Sequence, residues 1–301
     1  MQFEAVPCFA HDDAPATRDS PQLFPHFGLR PGTSWRDVLD KVAEYKLVYL
    51  ARHGQGYHNL AEEKRQYGTR DWENYWAQRT GDGAMYWGPD PRLTPLGADQ
   101  AAAVHHAWTR ARAEEGDSQP PPLPEVLCSS PLTRCLDTLY ITWRGVLLED
   151  VACGAAAGPR HPPRSSRSVH VRENLREVLG KHTCDRRSTK SGIARRFPLQ
   201  RRDGAPAPLV FHAPFSEEDV LWRQPDWRES DDAMRERIRR ALESIWRDEA
   251  RGKHGAHICR RALMPVVCIT CHGGVMQRVL ELTSHVPLHP AVGGAHGVRS
   301  R

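Results

Sequence analysis

The chain has 301 residues, 39% of them hydrophobic, with 42 basic against 37 acidic side chains and a formal net charge of +5. That length can bury the core of one large domain, and the mild positive balance suits small anions without arguing for nucleic acid. An apolar run of about 18 residues, the least a membrane-crossing helix needs, is absent; the N-terminal residues lack a secretory pattern; and 8 cysteines spread over this length exclude a small disulfide scaffold.

In chain order, residues 1–32 are polar and proline-containing and are expected to lie as an arm on a domain of residues 33–284. Residues 34–45 set Trp35, Val38, Leu39 and Val42 on one helical face. Leu47 opens an apolar strand that ends at Arg52, His53 and Gly54, and the charged, aromatic-rich stretch 59–76 reads as helical. Thr94 is an N-cap with Pro95 at the first helical position, opening a helix through Ala111. A proline-rich connector over 116–124 leads into a strand over 125–128, which turns through Ser129, Ser130 and Pro131 into a helix carrying Arg134. Residues 153–168 are low in complexity and basic and are expected to form a disordered surface loop. Val169, His170 and Val171 form a short strand, with Glu177 just beyond it. Basic residues recur over 186–202, and residues 203–208 form a loop. In 230–251, Met234, Ile238, Leu242 and Ile245 keep the spacing of an amphipathic helix. The run Val266 to Cys271 is a second buried strand broken by His272, Gly273 and Gly274, with a helix after it; residues 285–301 read as a flexible tail. Alternating strands and helices define an α/β class: a three-layer sandwich, its central sheet mostly parallel and helices on both faces.

Each chemically distinctive residue stands at the end of an element. Strand ends deliver Arg52, His53, Arg134 and His272, with Glu177 past a fourth strand, and ligands in open α/β sheets bind at that edge. Phosphoryl transfer needs a nucleophile, positive charge on the phosphoryl oxygens and an acid for the leaving oxygen. A neutral imidazole can be the nucleophile, and Arg52 and Arg134 offer permanently charged forks that fit phosphate oxygens. His272, beside the amides of a helix N-terminus, can stabilise the same oxygens. Glu177 can supply the proton, although Glu173 stands four positions earlier and competes for that role. No cofactor and no metal is required by this set.

The blocks RHGQGYHN, LTPLGADQA, SPLTRCLDT, LREVLG and CHGG resemble, in the same order, the signature blocks of the histidine phosphatase superfamily, and its phosphoglycerate-mutase-like branch in particular. Phe27, Gly28, Leu29, Trp35, YGTRDW, Tyr75, Trp76, Trp87 and ENLREVLGKHTCDRRS are similar to the phosphoglycerate-mutase-like proteins of fungi. The resemblance implies His53 as the phosphorylated nucleophile, with Arg52, Arg134 and His272 completing the phosphate pocket. It implies Asn59 as the motif asparagine, Glu177 as the acid, and Gln55 and Gly56 as pocket-lining positions. Cys271 departs from the Thr or Ser that commonly precedes the last histidine.

Several other patterns compete. Cys128 and Arg134 have the C-x5-R spacing of cysteine-dependent phosphatases, but Pro131 removes an amide from the loop and no glycine supplies the usual cradle. Cys268 and Cys271 have C-x2-C spacing within a strand and no second pair. His182 and Cys184 read as loop contacts before metal ligands, Trp72, Trp76 and Trp87 as a packed lid or rim, and His105 and His106 carry no partner pattern. The expected function is metal-independent phosphomonoester hydrolysis of a small phosphorylated substrate through a phosphohistidine. The rivals are a phosphoglycerate-mutase-type phosphotransferase, for which Arg186, Arg187, Lys190, Arg195 and Arg196 would supply the extra charge, and an inactive binding protein on the same fold. The thiol pattern fits a cytoplasmic protein; neither a membrane nor a nucleic-acid partner is expected, and oligomeric state is left open.

Overall fold

The computed structural model describes residues 3–5, 27, 29, 32–41, 46–63, 69–113, 120–148, 168–198, 209–222, 226–250, 266–284 and 294–300. The low-complexity stretch 153–167, most of the N-terminal arm, residues 199–208 and residues 285–293 lie outside them.

Seven strands form one sheet in the order β1-β7-β2-β6-β3-β4-β5. β2 (Lys46–Arg52), β6 (Val267–Cys271), β3 (Val126–Ser129), β4 (Val169–Val171) and β5 (Leu209–Phe211) run parallel. β7 (Gly294–Ser300) lies antiparallel on β2, and β1 (Phe3–Ala5) antiparallel on β7. The register aligns Arg52 with Cys271, Thr270 with Ser129, and Ser129 with Val171. The C-terminal ends of four strands therefore open onto one edge.

Side chains alternate across the sheet with the two-residue period of a strand. Leu47, Tyr49, Leu127, Val169 and Val171 face a core shared with α1 (Trp35–Lys41), α4 (Pro95–Ala113), α5 (Thr133–Trp143) and α6 (Lys190–Arg196). Val48, Leu50, Val126, Cys128, Val267 and Ile269 face the opposite core, against α7 (Asp231–Ala250) and α8 (Gly273–Leu282). Both faces are covered, which makes the three-layer α/β sandwich. Phe27 and Leu29 of the arm pack on the first core, Phe27 stacking 4.4 Å from Trp108.

Local chemistry sets the helix starts. Ser34 and Asp37 form a reciprocal capping box, the Asp37 amide donating to Ser34 Oγ at 3.2 Å and the Ser34 amide to Asp37 Oδ2 at 2.8 Å. Thr94 Oγ1 accepts from the Gly97 amide at 3.1 Å, the N-cap its sequence called for. The start of α5 is capped from elsewhere in the chain: Asp90 accepts from the Thr133 amide at 2.7 Å and from Thr133 Oγ1 at 2.9 Å, and also from the Ser188 amide and hydroxyl at 3.0 and 2.6 Å.

Of the stretch 59–76, expected to be helical, α2 (Tyr57–Glu63) and α3 (Thr69–Asn74) are helical, residues 64–68 lie outside the described residues, and a 3-10 turn over Trp76–Gln78 follows. Trp72, Ala77 and Trp87 pack with Ala61 into a small core of their own. One expectation, about the tail, is corrected. Within the expected flexible tail, residues 294–300 form β7, held by backbone pairing to β2. Among the described residues no helix is long and apolar enough to cross a membrane.

Candidate active site

β2 ends at Arg52, and the next residue, His53, keeps the sheet register through its amide, which donates to Cys271 O at 3.0 Å. His53 is buried, and its Nδ1 lies 2.7 Å from Gly54 O. A carbonyl can only accept, so Nδ1 carries the proton and Nε2 of the neutral ring keeps its lone pair. Burial, then the charges of Arg134 and Arg52, hold the His53 pKa well below the usual imidazole range, against a smaller opposing pull from the Gly54 carbonyl.

Arg134, in the first turn of α5, is 1% exposed. Its Nη1 donates to Cys184 O at 2.8 Å and its Nη2 to Asp185 Oδ1 at 3.0 Å, while its Nε is buried with no hydrogen-bond partner. His272 is fully buried before α8, its ring edge-on to His53 at 5.1 Å, with Nε2 2.8 Å from Ser130 Oγ and 3.4 Å from Cys135 Sγ. Burial foremost, then Arg134, keeps it neutral as well.

Glu177 approaches from the connection after β4. Its Oε2 accepts from the Gly274 amide at 3.1 Å and its Oε1 from the Val178 amide at 3.1 Å. A Cβ at residue 274 would press on the Glu177 carboxyl and force it to shift. Burial pushes the Glu177 pKa up, helped by the charge of Asp185 and opposed by the Gly274 amide and Arg134. Glu173 is placed elsewhere: it is buried in ion pairs with Arg187 Nε at 2.6 Å and Arg176 Nη1 at 3.1 Å.

A cavity of about 360 Å³ joins these groups; it is lined by Arg52, His53, Asn59, Arg134 and Glu177 among the sequence candidates. Three candidates stand outside that lining. Gln55 was expected to face the pocket, but its amide nitrogen donates to Glu63 Oε2 at 2.7 Å and its amide oxygen accepts from Thr94 Oγ1 at 2.8 Å, which turns it toward α2 and α4. Gly56 is a support, its amide donating to Asn59 Oδ1 at 3.0 Å. His272 is not among the lining residues; it is buried beside His53 with its Nε2 engaged by Ser130 Oγ and Cys135 Sγ.

The cavity also gathers residues to which the sequence assigned no role, His58, Glu62, Asp185, Arg228 and Gln277, together with His182, which was read as a loop contact. Asp185 is the hub, holding Arg134 and accepting a longer 3.4 Å contact from Arg228 Nη1. His58 was within reach of sequence reasoning, since it sits inside RHGQGYHN on the first turn of α2. Arg228 carried no local signal; it arrives by donating to the carbonyls of Gly180 and Val178.

His182, Cys184 and Asp185 bring their potential ligand atoms within 4.8 Å of one another. The ligand atoms are already engaged: two guanidinium groups hold Asp185, Glu73 Oε2 lies 3.0 Å from His182 Nε2, and burial drives the Cys184 thiol away from the thiolate a metal would need. The decoys are resolved by alternation. Cys128 packs in the α7–α8 core, and Cys268 and Cys271 point to opposite faces of the sheet.

The class the fold defines is a three-layer α/β sandwich with a largely parallel sheet, which sets Arg52, His53 and His272 at strand ends and Arg134 in the first turn of α5. No model of a known protein family matches the chain. It is 32% identical to a "Probable phosphoglycerate mutase" of Arthroderma benhamiae over 80% of this chain and 59% of that protein, which the match therefore spans only in part. It is 31% identical to the "Probable phosphoglycerate mutase PMU1" of Saccharomyces cerevisiae over 88% of this chain and 83% of that one. A solved mycobacterial glucosyl-3-phosphoglycerate phosphatase aligns over 83% of this chain and 86% of its own, at 20% identity and a TM-score of 0.38. The chain belongs to the phosphoglycerate-mutase-like branch of the histidine phosphatase superfamily.

Proposed function

We propose that this protein is a metal-independent phosphomonoester hydrolase that acts through a phosphohistidine at His53 on a small phosphorylated substrate. The observation that carries the reading is the bond from His53 Nδ1 to Gly54 O, which leaves the Nε2 lone pair of a neutral ring in a cavity it shares with Arg52 and Arg134. His53 Nε2 attacks phosphorus, the bond from phosphorus to the ester oxygen breaks, and the departing oxygen takes the proton of Glu177. Water then attacks the phosphohistidine, the Glu177 carboxylate takes its proton, the bond from Nε2 to phosphorus breaks, and inorganic phosphate leaves. Arg134 lines the cavity, and its permanent charge suits a phosphoryl oxygen, while Asn59 fixes the turn beneath the site. His272 acts from behind, by keeping the His53 ring in place. Every residue lining the cavity is polar, charged or glycine, which favours a substrate whose body also forms hydrogen bonds.

The mutase alternative loses support because its basic clamp is committed elsewhere. Arg187 pairs with Glu173, Arg196 with Asp137, Arg186 stacks on Trp222, and none of these, nor Lys190 or Arg195, lines the cavity. Five described cysteines are buried free thiols, in keeping with a cytoplasmic enzyme. The test is His53→Ala against the wild type on p-nitrophenyl phosphate with chelator present, with an alkaline denaturing quench to trap labelled phosphate on the protein and acid treatment to release it. We expect activity and acid-labile label in the wild type and a loss of at least about 10³-fold, with no label, in the variant. Wild-type activity that appears only with added divalent metal would contradict the reading, and a wild type inactive on every phosphomonoester would favour the binding-protein alternative.

A further inference from the structure

The mechanism leaves two imidazoles of the cavity unused; one, His182, is engaged by Glu73 Oε2 at 3.0 Å, and the other is His58. His58 lines the cavity with His53, Arg52 and Arg134, its ring centroid 5.5 Å from that of His53 and tilted by 49°. Its Nδ1 is buried and has no hydrogen-bond partner. That nitrogen is packed against Gly56: a Cβ at residue 56 would stand 2.6 Å from Nδ1 and 2.7 Å from Cε1, closer than real side chains approach. Gly56 therefore makes the space in which the ring lies, and Nε2 is the polar atom left to meet a ligand.

We propose that His58 is a further catalytic residue, which donates a hydrogen bond from Nε2 to an oxygen of the transferring phosphoryl group. The proton assignment follows from the packing. A neutral imidazole has one N–H, and a stranded buried donor is rarer in proteins than a stranded acceptor. The proton therefore belongs on Nε2, and the lone pair faces Gly56. Burial, followed by the charges of Arg134, His53, Arg52 and His182, keeps the ring neutral. A neutral donor adds a hydrogen bond to the oxygens without adding to the charge that Arg52 and Arg134 already concentrate there. This inference rests on His53 as the phosphoryl acceptor and adds a ligand that the strand ends do not supply.

The experiment compares His58→Phe, which removes the donor, with His58→Gln, whose amide restores one, by rapid-quench measurement of His53 phosphorylation from p-nitrophenyl phosphate. We expect His58→Phe to slow phosphorylation and to weaken calorimetric binding of inorganic phosphate, with kcat/KM down about 10²-fold, and His58→Gln to stay within about fivefold of wild type. The packing claim is tested by Gly56→Ala, which should cost about tenfold in the wild type and almost nothing in a His58→Ala background. That cycle also decides the matter if His58→Phe does not fold. A His58→Phe protein that phosphorylates at the wild-type rate overturns the proposal. So does a His58→Gln protein as impaired as His58→Phe and accumulating phosphoenzyme, which would assign His58 to the water step. An equal cost of Gly56→Ala in both backgrounds overturns it as well. If the wild type itself traps no acid-labile phosphate, the functional reading fails; if trapping is intact and His58→Phe leaves it unchanged, only His58 is removed.

Discussion

The two walls of the cavity are built by different physics. The near wall, with Arg52, His53 and the start of α5, hangs on backbone register: parallel pairing of β2, β6 and β3 fixes where each strand stops. The far wall, with Glu177, His182 and Asp185, comes from a connection with little regular structure. Buried charge holds that connection together. Arg176 donates to both carboxylate oxygens of Asp219 at 2.8 and 2.6 Å, to Asp185 O at 2.6 Å and to Glu173, and Arg187 binds Glu173 and the carbonyls of Ser216, Glu217 and Glu218. A strand end tolerates changes around it because its hydrogen bonds are main-chain. A charge-built wall depends on each partner, since removing one strands the other.

That contrast sets out what substitutions should do. Arg134 joins the walls, so Arg134→Ala should lower kcat/KM by at least about 10²-fold, or roughly 2.7 kcal/mol; a loss below about fivefold in steady-state assays would mean that the walls work separately. Asp219→Ala should cost about 3 kcal/mol of stability by leaving Arg176 buried and short of a partner, read as a lowered unfolding midpoint. An unchanged midpoint would show that the far wall is not held by charge. Glu177→Gln should reduce turnover of alkyl phosphates by about tenfold or more while sparing release of p-nitrophenol in the first step, because a good leaving group needs little protonation. The pH dependence has a definite sign. Glu177 donates only while protonated, so alkyl-phosphate activity should fall as pH rises through its raised pKa. His53 attacks only while neutral, so activity should also fall when pH drops through its lowered one. The first of these two limbs should vanish in Glu177→Gln. The smallest effect belongs to Cys128→Ser, within about threefold of wild type if cysteine takes no part in the chemistry; near-complete loss in a folded protein would revive the cysteine mechanism.

The near wall was legible because an apolar run that stops at Arg52-His53-Gly54, or at His272-Gly273-Gly274, marks both the strand and its end. β5 was missed because Leu209, Val210 and Phe211 are too few for a period to register, and β7 because its pattern carries no apolar alternation. Within the motif, position was readable and direction was not. Gln55 was placed correctly in the turn, but its amide is drawn off by Thr94, which only the tertiary fold brings near. The same holds for His272, whose strand end was evident but not the engagement of its ring by Ser130 and Cys135. The resemblance favoured Glu177 over Glu173, but the physical distinction lies in the fold, with Arg176 and Arg187 closing on Glu173 and the Gly274 amide of α8 receiving Glu177.

Asp90 ties these walls together in time as well as in space. A single carboxylate accepts from the amides of both Thr133, which opens the helix bearing Arg134, and Ser188, which closes the far connection. Loosening either segment removes one of the two amides that hold that carboxylate, and so weakens its hold on the other. The two should therefore behave as one unit in hydrogen exchange, and a ligand that quiets one wall should slow exchange at the other.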